Sequence, residues 1–267
     1  MENVLKKIID QKKPKIENLK KINPINKILN SIKSVKNFIN FKDKLVKKDE
    51  KNKVSIIAEI KKASPSAGLL VNNFDHLTIA KEYKENGASA LSVLTEENFF
   101  LGKMDYIKDI KNSINIPILC KDFFIDTYQV GLAKSYGADC ILIILSAIDK
   151  ILAKDLYQTA NDLNISTLVE VHSEKEAEIA LTFEKSIIGV NNRNLKTLEI
   201  SIDNSVSISK ILSSHLNPLV CESGIHSTDD IKFIIEKANI RNFLIGESLL
   251  TSENIGSKLR EFSQINL

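Results

Sequence analysis

The chain has no long apolar run. Nowhere in its 267 residues does a run approach the roughly 18 apolar residues of a membrane span, so the sequence predicts no transmembrane segment. The N-terminus also lacks the apolar centre of a signal peptide, because residues 5–18 form a lysine-rich amphipathic pattern. We therefore expect a cytoplasmic protein with no membrane partner.

Cysteines and metal-binding patterns are scarce. Cys120, Cys140 and Cys221 are the only cysteines, and all lie in apolar runs predicted to be strands, which favours buried thiols over disulfides or a metal site. No cluster of histidines and cysteines has metal-ligand spacing, so no metal is expected. The net charge is +3 with acidic and basic residues interspersed, which argues against a nucleic-acid partner.

What the chain does contain is a series of eight short apolar runs, each ending in polar residues. The runs are 56–60, 88–94, 116–120, 139–145, 166–169, 187–190, 218–221 and 242–245. They do not alternate between apolar and polar residues, which is typical of strands buried on both faces of a parallel sheet. The amphipathic stretches between them are long enough for one helix each and include 75–86, 126–136, 150–163, 174–183 and 228–237.

This alternation of strands and helices predicts an α/β fold. Eight units in 267 residues fit a (β/α)8 TIM barrel, typically about 250 residues long, better than a doubly wound sheet with fewer strands. We therefore treat residues 1–267 as one barrel domain. In such barrels catalytic side chains lie at the carboxyl ends of the strands, where the polar residues of this chain are expected to gather.

The end of the first run carries the most informative pair of charges. Glu59 and Lys61 are two residues apart, so on a strand they share a face, and the Ser-Pro-Ser at 64–66 then turns the chain. An isolated Glu-x-Lys is more simply a solvated charged turn. Because polar residues also follow the other seven runs, we interpret the pair as part of a site.

Two of the nine glycines directly follow the seventh and eighth runs. The loops after these strands of a barrel commonly bind phosphate, since backbone N–H groups face the anion and a side chain would obstruct its approach. Gly224 and Gly246 therefore predict a phosphorylated small-molecule substrate. A turn that needs a positive φ would also explain either glycine singly.

The first 50 residues do not belong to the repeat. Residues 4–19 and 25–46 are predicted to form two helices joined around Asn23-Pro24, and residues 49–53 a solvated linker. Such a helical N-terminal extension caps the bottom of the barrel or leans over its active end. The sequence leaves this choice open.

Several segments carry a resemblance to a known family. Residues 56–70 closely resemble the signature segment of indole-3-glycerol phosphate synthase, and the likeness covers nearly the whole chain. Further matching segments, in the family's order, are 91–95 with 99–100, then 121–123, 168–172, 189–195, 222–225 and 244–248. Three departures are Ala67 and Lys103, where lysine and serine are common, and Cys120, which replaces a basic residue.

The resemblance implies a reaction and no cofactor. The family closes 1-(2-carboxyphenylamino)-1-deoxyribulose 5-phosphate to indole-3-glycerol phosphate, with loss of carbon dioxide and water, in tryptophan biosynthesis. An acid acts at the C2′ oxygen while the aromatic carbon attacks the carbonyl carbon. Decarboxylation follows, and a second acid step then expels the hydroxyl while a base removes the anilinic proton. We expect a monomer, with a homodimer left open.

By carry-over from the family, Lys121 is assigned as the principal general acid and Glu170 as the base. Lys61 is a second cation, and the division of steps between the two lysines is left open. We expect each lysine to lower the pKa of the other, with Glu59 offsetting that repulsion. Asn191 is expected to orient a carboxylate or a substrate hydroxyl.

The same carry-over assigns the binding residues. Those matching the family's apolar lining for the aromatic half of the substrate are Phe100, Phe123, Leu142, Leu195 and Ile245. Those expected at the phosphate or elsewhere on the substrate are Ser64, Glu222, Ser223, Gly224, Gly246 and Glu247. Glu247 serves only through its N–H, so its carboxylate must turn away. Arg193 binds a carboxylate or forms an ion pair within the protein.

Two other classes of function remain open at this point. A Schiff-base lyase on the same barrel would use Lys61 or Lys121 as its nucleophile. A non-catalytic phosphosugar-binding barrel would bind without turnover, although binding alone does not require Lys61, Lys121 and Glu170 together. His172 follows Glu170 on the same face, and we assign it a structural hydrogen-bonding role rather than a catalytic one.

Overall fold

Eight parallel strands close into a barrel, as the sequence predicts. The computed structural model describes residues 4–46, 50, 53–195 and 197–265. The barrel strands are β1 (Ser55–Ile60), β2 (Ala90–Leu94), β3 (Ile118–Lys121), β4 (Cys140–Ile144), β5 (Ser166–Val171), β6 (Ile187–Asn191), β7 (Leu219–Glu222) and β8 (Asn242–Ile245). Each strand pairs with its neighbours in chain order, and β1 closes the barrel by pairing with both β8 and β2.

Buried β-branched residues explain why these segments form strands. Isoleucine and valine fit a pleated surface, and β1, β2, β4 and β6 are buried at every position, so both faces of these strands are packed. The inner face fills the barrel and the outer face packs against the helices. Two short antiparallel strands, Ala63–Ser64 and Gly68–Leu69, lie in the loop after β1.

Helices surround the barrel between the strands. They are α3 (His76–Glu85), α4 (Asp105–Ser113), α5 (Tyr128–Ser135), α6 (Lys150–Asp162), α7 (Glu174–Ala180), α8 (Asp203–Ile211), α9 (Thr228–Ala238), α10 (Glu247–Leu250) and α11 (Ile255–Ser263). Some of their first turns are fixed by side-chain caps, as at Asp75, Asp149 and Ser227, which accept backbone N–H groups. Of the helices within the described ranges, none is long and apolar enough to cross a membrane.

The N-terminal extension differs from its prediction in one respect. Helix α1 (Val4–Ile22) is present, but α2 (Ile25–Ile32) ends well before residue 46, so the predicted second helix is too long. The backbone after α2 has other partners, because the Ile39 N–H donates to Asp139 Oδ1 at 2.8 Å. Part of the predicted linker, residues 49, 51 and 52, lies outside the described residues.

The extension runs along the whole height of the barrel. Three residues of α1, Val4, Leu5 and Ile8, line the cavity at the carboxyl ends of the strands. The chain then passes down the outside, where Phe41 is fully buried. Near the amino ends of the strands the Val46 N–H donates to Asn242 Oδ1 at 2.7 Å. The extension therefore leans over the active end and also reaches the bottom.

Asn242 ties this bottom end together, and its removal tests the arrangement. Its Oδ1 accepts from the Val46 N–H and from Ser55 Oγ, while its Nδ2 donates to the carbonyl groups of Val46 and Leu219. We predict that Asn242→Ala lowers the free energy of unfolding by about 2–4 kcal/mol, because it leaves buried polar groups unpaired. Urea denaturation measures this loss. The exposed Asn30→Ala on α2 is the control, and equal stabilities of the two variants would contradict the prediction.

Candidate active site

One cavity of about 200 Å³ opens at the carboxyl ends of the strands. It brings together every residue that the sequence predicts for the site. These are Glu59, Lys61, Ser64, Phe100, Lys121, Phe123, Leu142, Glu170, Asn191, Arg193, Leu195, Glu222, Ser223, Gly224, Ile245, Gly246 and Glu247. The parallel barrel explains this convergence, because all eight carboxyl ends meet at one rim.

Alternate strands supply a layer of four charged side chains. Glu59, Lys121, Glu170 and Glu222 come from β1, β3, β5 and β7, and in barrels of this type each interior layer is built from every second strand. Lys121 reaches across the barrel, with its Nζ 2.5 Å from Glu222 Oε2 and 3.0 Å from Glu170 Oε2. The ammonium therefore lies between two carboxyl groups.

This layer overturns the expectation that the pKa of Lys121 is lowered. Burial does act to lower that pKa, but the charges of Glu170, Glu222 and Glu59 outweigh burial and raise it well above its usual range. The expectation considered only the two lysines as neighbours. Carboxylates from three other strands surround Lys121 instead, so its side chain carries a stable positive charge.

Glu170 is surrounded by positive and hydrogen-bonding groups. Its Oε2 accepts a hydrogen bond from Lys121 Nζ at 3.0 Å, and its Oε1 accepts one from Asn191 Nδ2 at 3.1 Å. His172 Nε2 lies 3.1 Å from the same Oε1 without hydrogen-bond geometry, so this contact is one of charge. Burial alone would raise the pKa of this carboxyl, but Lys121, His172 and Asn191 outweigh it and hold the pKa well below its usual range. Glu170 is therefore an ionised carboxylate.

Glu222 is the carboxyl group that resists ionisation. Burial and the nearby charge of Glu170 together raise its pKa to about 7, against the attraction of Lys121. Its Oε1 is buried without a hydrogen-bond partner, and a methyl group on Gly189 would collide with that oxygen. Two carboxyl groups that share one ammonium thus have different affinities for a proton.

The first strand adds a second ion pair beside this layer. Lys61 Nζ lies 2.7 Å from Glu59 Oε1, so the two side chains share a face as expected from their spacing. Gly246 leaves room for this carboxylate, since a Cβ there would come within 2.6 Å of Glu59 Oε1. Gly246 has a φ of −129°, so close approach rather than a positive φ accounts for this glycine.

The turn after β7 has the unusual backbone that the sequence suggested. Ser223 and Gly224 have φ angles of 66° and 85°, and the Ser223 hydroxyl donates to Asn191 Oδ1 at 2.8 Å. Arg193 lies 3.6 Å from Glu247 Oε2, so the carboxylate of Glu247 turns towards the guanidinium. This side of the cavity therefore combines the positive-φ turn at Ser223 and Gly224 with the guanidinium of Arg193, whose ion pair is long.

An apolar wall lines the other side, and part of it comes from residues that the sequence analysis missed. Phe100 and Phe123 have ring centroids 6.3 Å apart, and Val4, Leu5 and Ile8 of α1 also line the cavity. Lys12 of the same helix pairs with Asp122 at 2.5 Å. The amphipathic pattern of α1 marks an apolar face, but only the fold shows what that face covers.

Comparison with known proteins assigns the family. The family model described as "Indole-3-glycerol phosphate synthase" matches residues 5–262. The chain belongs to the indole-3-glycerol phosphate synthase family. Curated relatives of that name from Ruminiclostridium cellulolyticum and Polaromonas sp. are each 41% identical, over 96% and 98% of this chain and 97% and 98% of the relatives. A relative of the same name from Campylobacter fetus is 38% identical over 97% of this chain and 98% of its own length.

Solved structures show the same fold at low identity. The 3-hexulose-6-phosphate synthase from Salmonella typhimurium has a TM-score of 0.64 at 13% identity, and covers 79% of this chain and 97% of its own. The tryptophan synthase complex of Pyrococcus furiosus includes a chain with a TM-score of 0.60 at 14% identity, covering 80% of this chain and 100% of its own. At these identities the likeness concerns the barrel alone. Within the part of the chain that the structure describes, no group of His, Cys, Asp and Glu side chains is arranged to hold a metal ion.

The raised pKa of Glu222 gives a direct spectroscopic prediction. We expect a protonated carboxyl group in the folded ligand-free protein, with an infrared C=O band that disappears as the pH rises through about 7. Glu222→Gln removes this band, whereas Glu247→Gln, which alters an exposed carboxylate, leaves it in place. A wild-type spectrum without any carboxyl band titrating above pH 6 would refute the assignment.

Proposed function

We propose that the chain converts 1-(2-carboxyphenylamino)-1-deoxyribulose 5-phosphate to indole-3-glycerol phosphate by general acid–base catalysis. Family membership makes it a decarboxylating lyase of tryptophan biosynthesis. One observation supports the roles of its residues: the Lys121 ammonium lies between Glu170 and Glu222. An apolar wall lines one side of the cavity, and the turn after β7 lines the other. We further propose that it works as a cytoplasmic monomer without a cofactor.

Lys121 acts at the carbonyl oxygen of the substrate. Negative charge develops on this oxygen when the aromatic carbon attacks, and a fixed ammonium stabilises that charge. The resulting alkoxide is a much stronger base than the carbonyl, so Lys121 donates a proton at this stage although its pKa is raised. A raised pKa therefore suits a group that must remain charged until the oxyanion forms.

Glu170 acts as the base of the dehydration. In the ligand-free site it is a weak base, because Lys121, Asn191 and His172 all stabilise its charge. When Lys121 turns to the substrate oxygen, Glu170 loses its nearest cation and its pKa rises. The carboxylate then accepts the anilinic proton. Binding of the substrate oxygen by Lys121 thus makes Glu170 a stronger base for the dehydration step.

Lys61 and Glu59 supply the second charged pair. Lys61 Nζ is 2.7 Å from Glu59 Oε1 and 13% exposed, so its ammonium is partly accessible from the cavity. We assign it to the departing hydroxyl or to the phosphate, with Ser64 beside it in the lining. Glu59 limits the repulsion between Lys61 and Lys121, because its carboxylate contacts Lys61 and raises the pKa of Lys121.

The two walls of the cavity match the two halves of the substrate. The anthranilate ring is assigned to the apolar wall of Phe100, Phe123, Leu142, Leu195 and Ile245. The phosphate is assigned to the backbone around Ser223, Gly224, Gly246 and Glu247. The ion pair of Arg193 is 3.6 Å long and partly exposed, so its guanidinium can exchange Glu247 for the substrate carboxylate at small cost.

The geometry disfavours Lys121 as the nucleophile of the Schiff-base alternative. A lysine attacks a carbonyl only as the neutral amine, which requires a lowered pKa. Lys121 has a raised pKa and lies beside two carboxyl groups, so its neutral form is rare. Trapping with borohydride and substrate should therefore leave the protein unmodified.

We predict that Lys121→Ala and Glu170→Gln each lower kcat at least about a hundredfold and change KM little, as expected for acid–base groups. The readout is indole fluorescence of the product, which is free of tryptophan background because the chain contains no tryptophan. Lys62→Ala, next to Lys61 but outside the cavity lining, is the matched control and should retain activity. Turnover like the wild type in either site variant would remove that residue from the assignment.

A further inference from the structure

His172 lies next to Glu170 and has no role in the reaction steps described above. His172 lies two residues beyond Glu170 on the same face of the chain, and its side chain is only 10% exposed. Its Nε2 is buried 3.1 Å from Glu170 Oε1 without the geometry of a hydrogen bond, and His172 is absent from the described lining of the cavity. It therefore touches Glu170 from the side opposite to a substrate.

Helix α7 fixes this histidine in turn. Glu176 Oε2 accepts the backbone N–H of His172 at 2.8 Å and lies 3.4 Å from its Nδ1. Glu176 is itself placed by the start of the helix, where its N–H donates to the side chain of Ser173 at 3.3 Å. The Ser-x-x-Glu pattern of a helix start thus carries a carboxylate that reaches back to the imidazole.

We propose that His172 is a positioning residue, whose imidazolium, held by Glu176, orients Glu170 and keeps it ionised for its role as the base. This inference rests on the proposed function. It replaces the hydrogen-bonding role assigned from the sequence with an electrostatic one directed at a single carboxylate. His172 acts through Glu170 and contacts no substrate.

The charges around the pair support an imidazolium. Burial acts to lower the pKa of His172, but Glu170 and Glu176 on either side outweigh it and raise the pKa to about 9. Lys121 and Glu222 face Glu170 from β3 and β7, and Asn191 faces it from β6. When Lys121 engages the substrate, His172 remains as the cation beside Glu170. The base then keeps a defined orientation at the moment it is used.

The pH dependence of turnover distinguishes an effect of the charge of His172 from an effect of its hydrogen-bonding capacity. Catalysis needs ionised Glu170, so kcat falls on the acidic side as Glu170 gains a proton. Loss of a neighbouring cation raises the pKa of a carboxyl by about one unit or more, so the acidic fall of His172→Ala should move to higher pH by that amount. His172→Gln keeps a donor without the charge, so it should recover kcat above the acidic fall while the fall itself stays shifted to higher pH. Glu176→Gln should shift the fall in the same direction by less.

His76→Gln is the matched control. His76 also lies 3.1 Å from a carboxylate, that of Asp109, but on the surface, so its profile should coincide with that of the wild type. A purely structural role for His172 would reduce stability or yield without moving the acidic fall. Identical acidic falls in folded His172→Ala, His172→Gln and wild type would overturn the inference.

An NMR titration tests the pair independently of turnover. His172 in the wild type should keep its proton to about pH 9, and Glu170→Gln should lower that midpoint by one unit or more. If the midpoint shifts as expected but the wild type shows no turnover, the proposed function fails while the pairing stands. If the wild type turns over and the midpoint does not move, the inference alone fails.

Discussion

The rest of the site depends on a layer of charge inside the barrel. Four side chains project from every second strand and meet at the cavity, which they line: Glu59, Lys121, Glu170 and Glu222. Burying such groups costs free energy unless each charge has partners, and here one ammonium lies between two carboxyl groups. The layer contains more carboxyl groups than ammonium groups, so it holds Lys121 protonated and, together with burial, raises the pKa of Glu222 to about 7.

The surrounding structure serves this layer. Gly189 and Gly246 provide the space that the carboxyl groups of Glu222 and Glu59 occupy. Helix α1 covers the mouth with apolar side chains and is tied to Asp122, directly after Lys121, through Lys12. Asn242 anchors the lower part of the extension, so the segment that carries α1 is held at both ends. Packing far from the cavity thereby contributes to its exclusion of water.

Most of the fold and the membership of the site were predictable from the sequence. The apolar runs mark the strands, and polar residues that end parallel strands must converge at one rim, so Glu59, Lys121 and Glu170 were placed correctly. Two features were not predictable. The chain after helix α2 is not helical, and Asp139 and Asn242, which lie 100 and 196 residues from their partners, bind its backbone at Ile39 and Val46. The pKa of Lys121 depends on which side chains face it across the barrel, and the presence of a second lysine in the site carries no information about Glu222.

In the ligand-free protein Lys121 is held as a cation by the carboxyl groups around it, and NMR of lysine side chains tests this most directly. In protein labelled with ¹⁵N, the Nζ signal that disappears in Lys121→Met reports the charge of this one residue. We expect it to remain an ammonium at pH values above the ordinary lysine pKa of about 10.4, and Glu222→Gln to bring its midpoint down. A midpoint below the ordinary value in the wild type would contradict this, because burial would then outweigh the surrounding carboxylates.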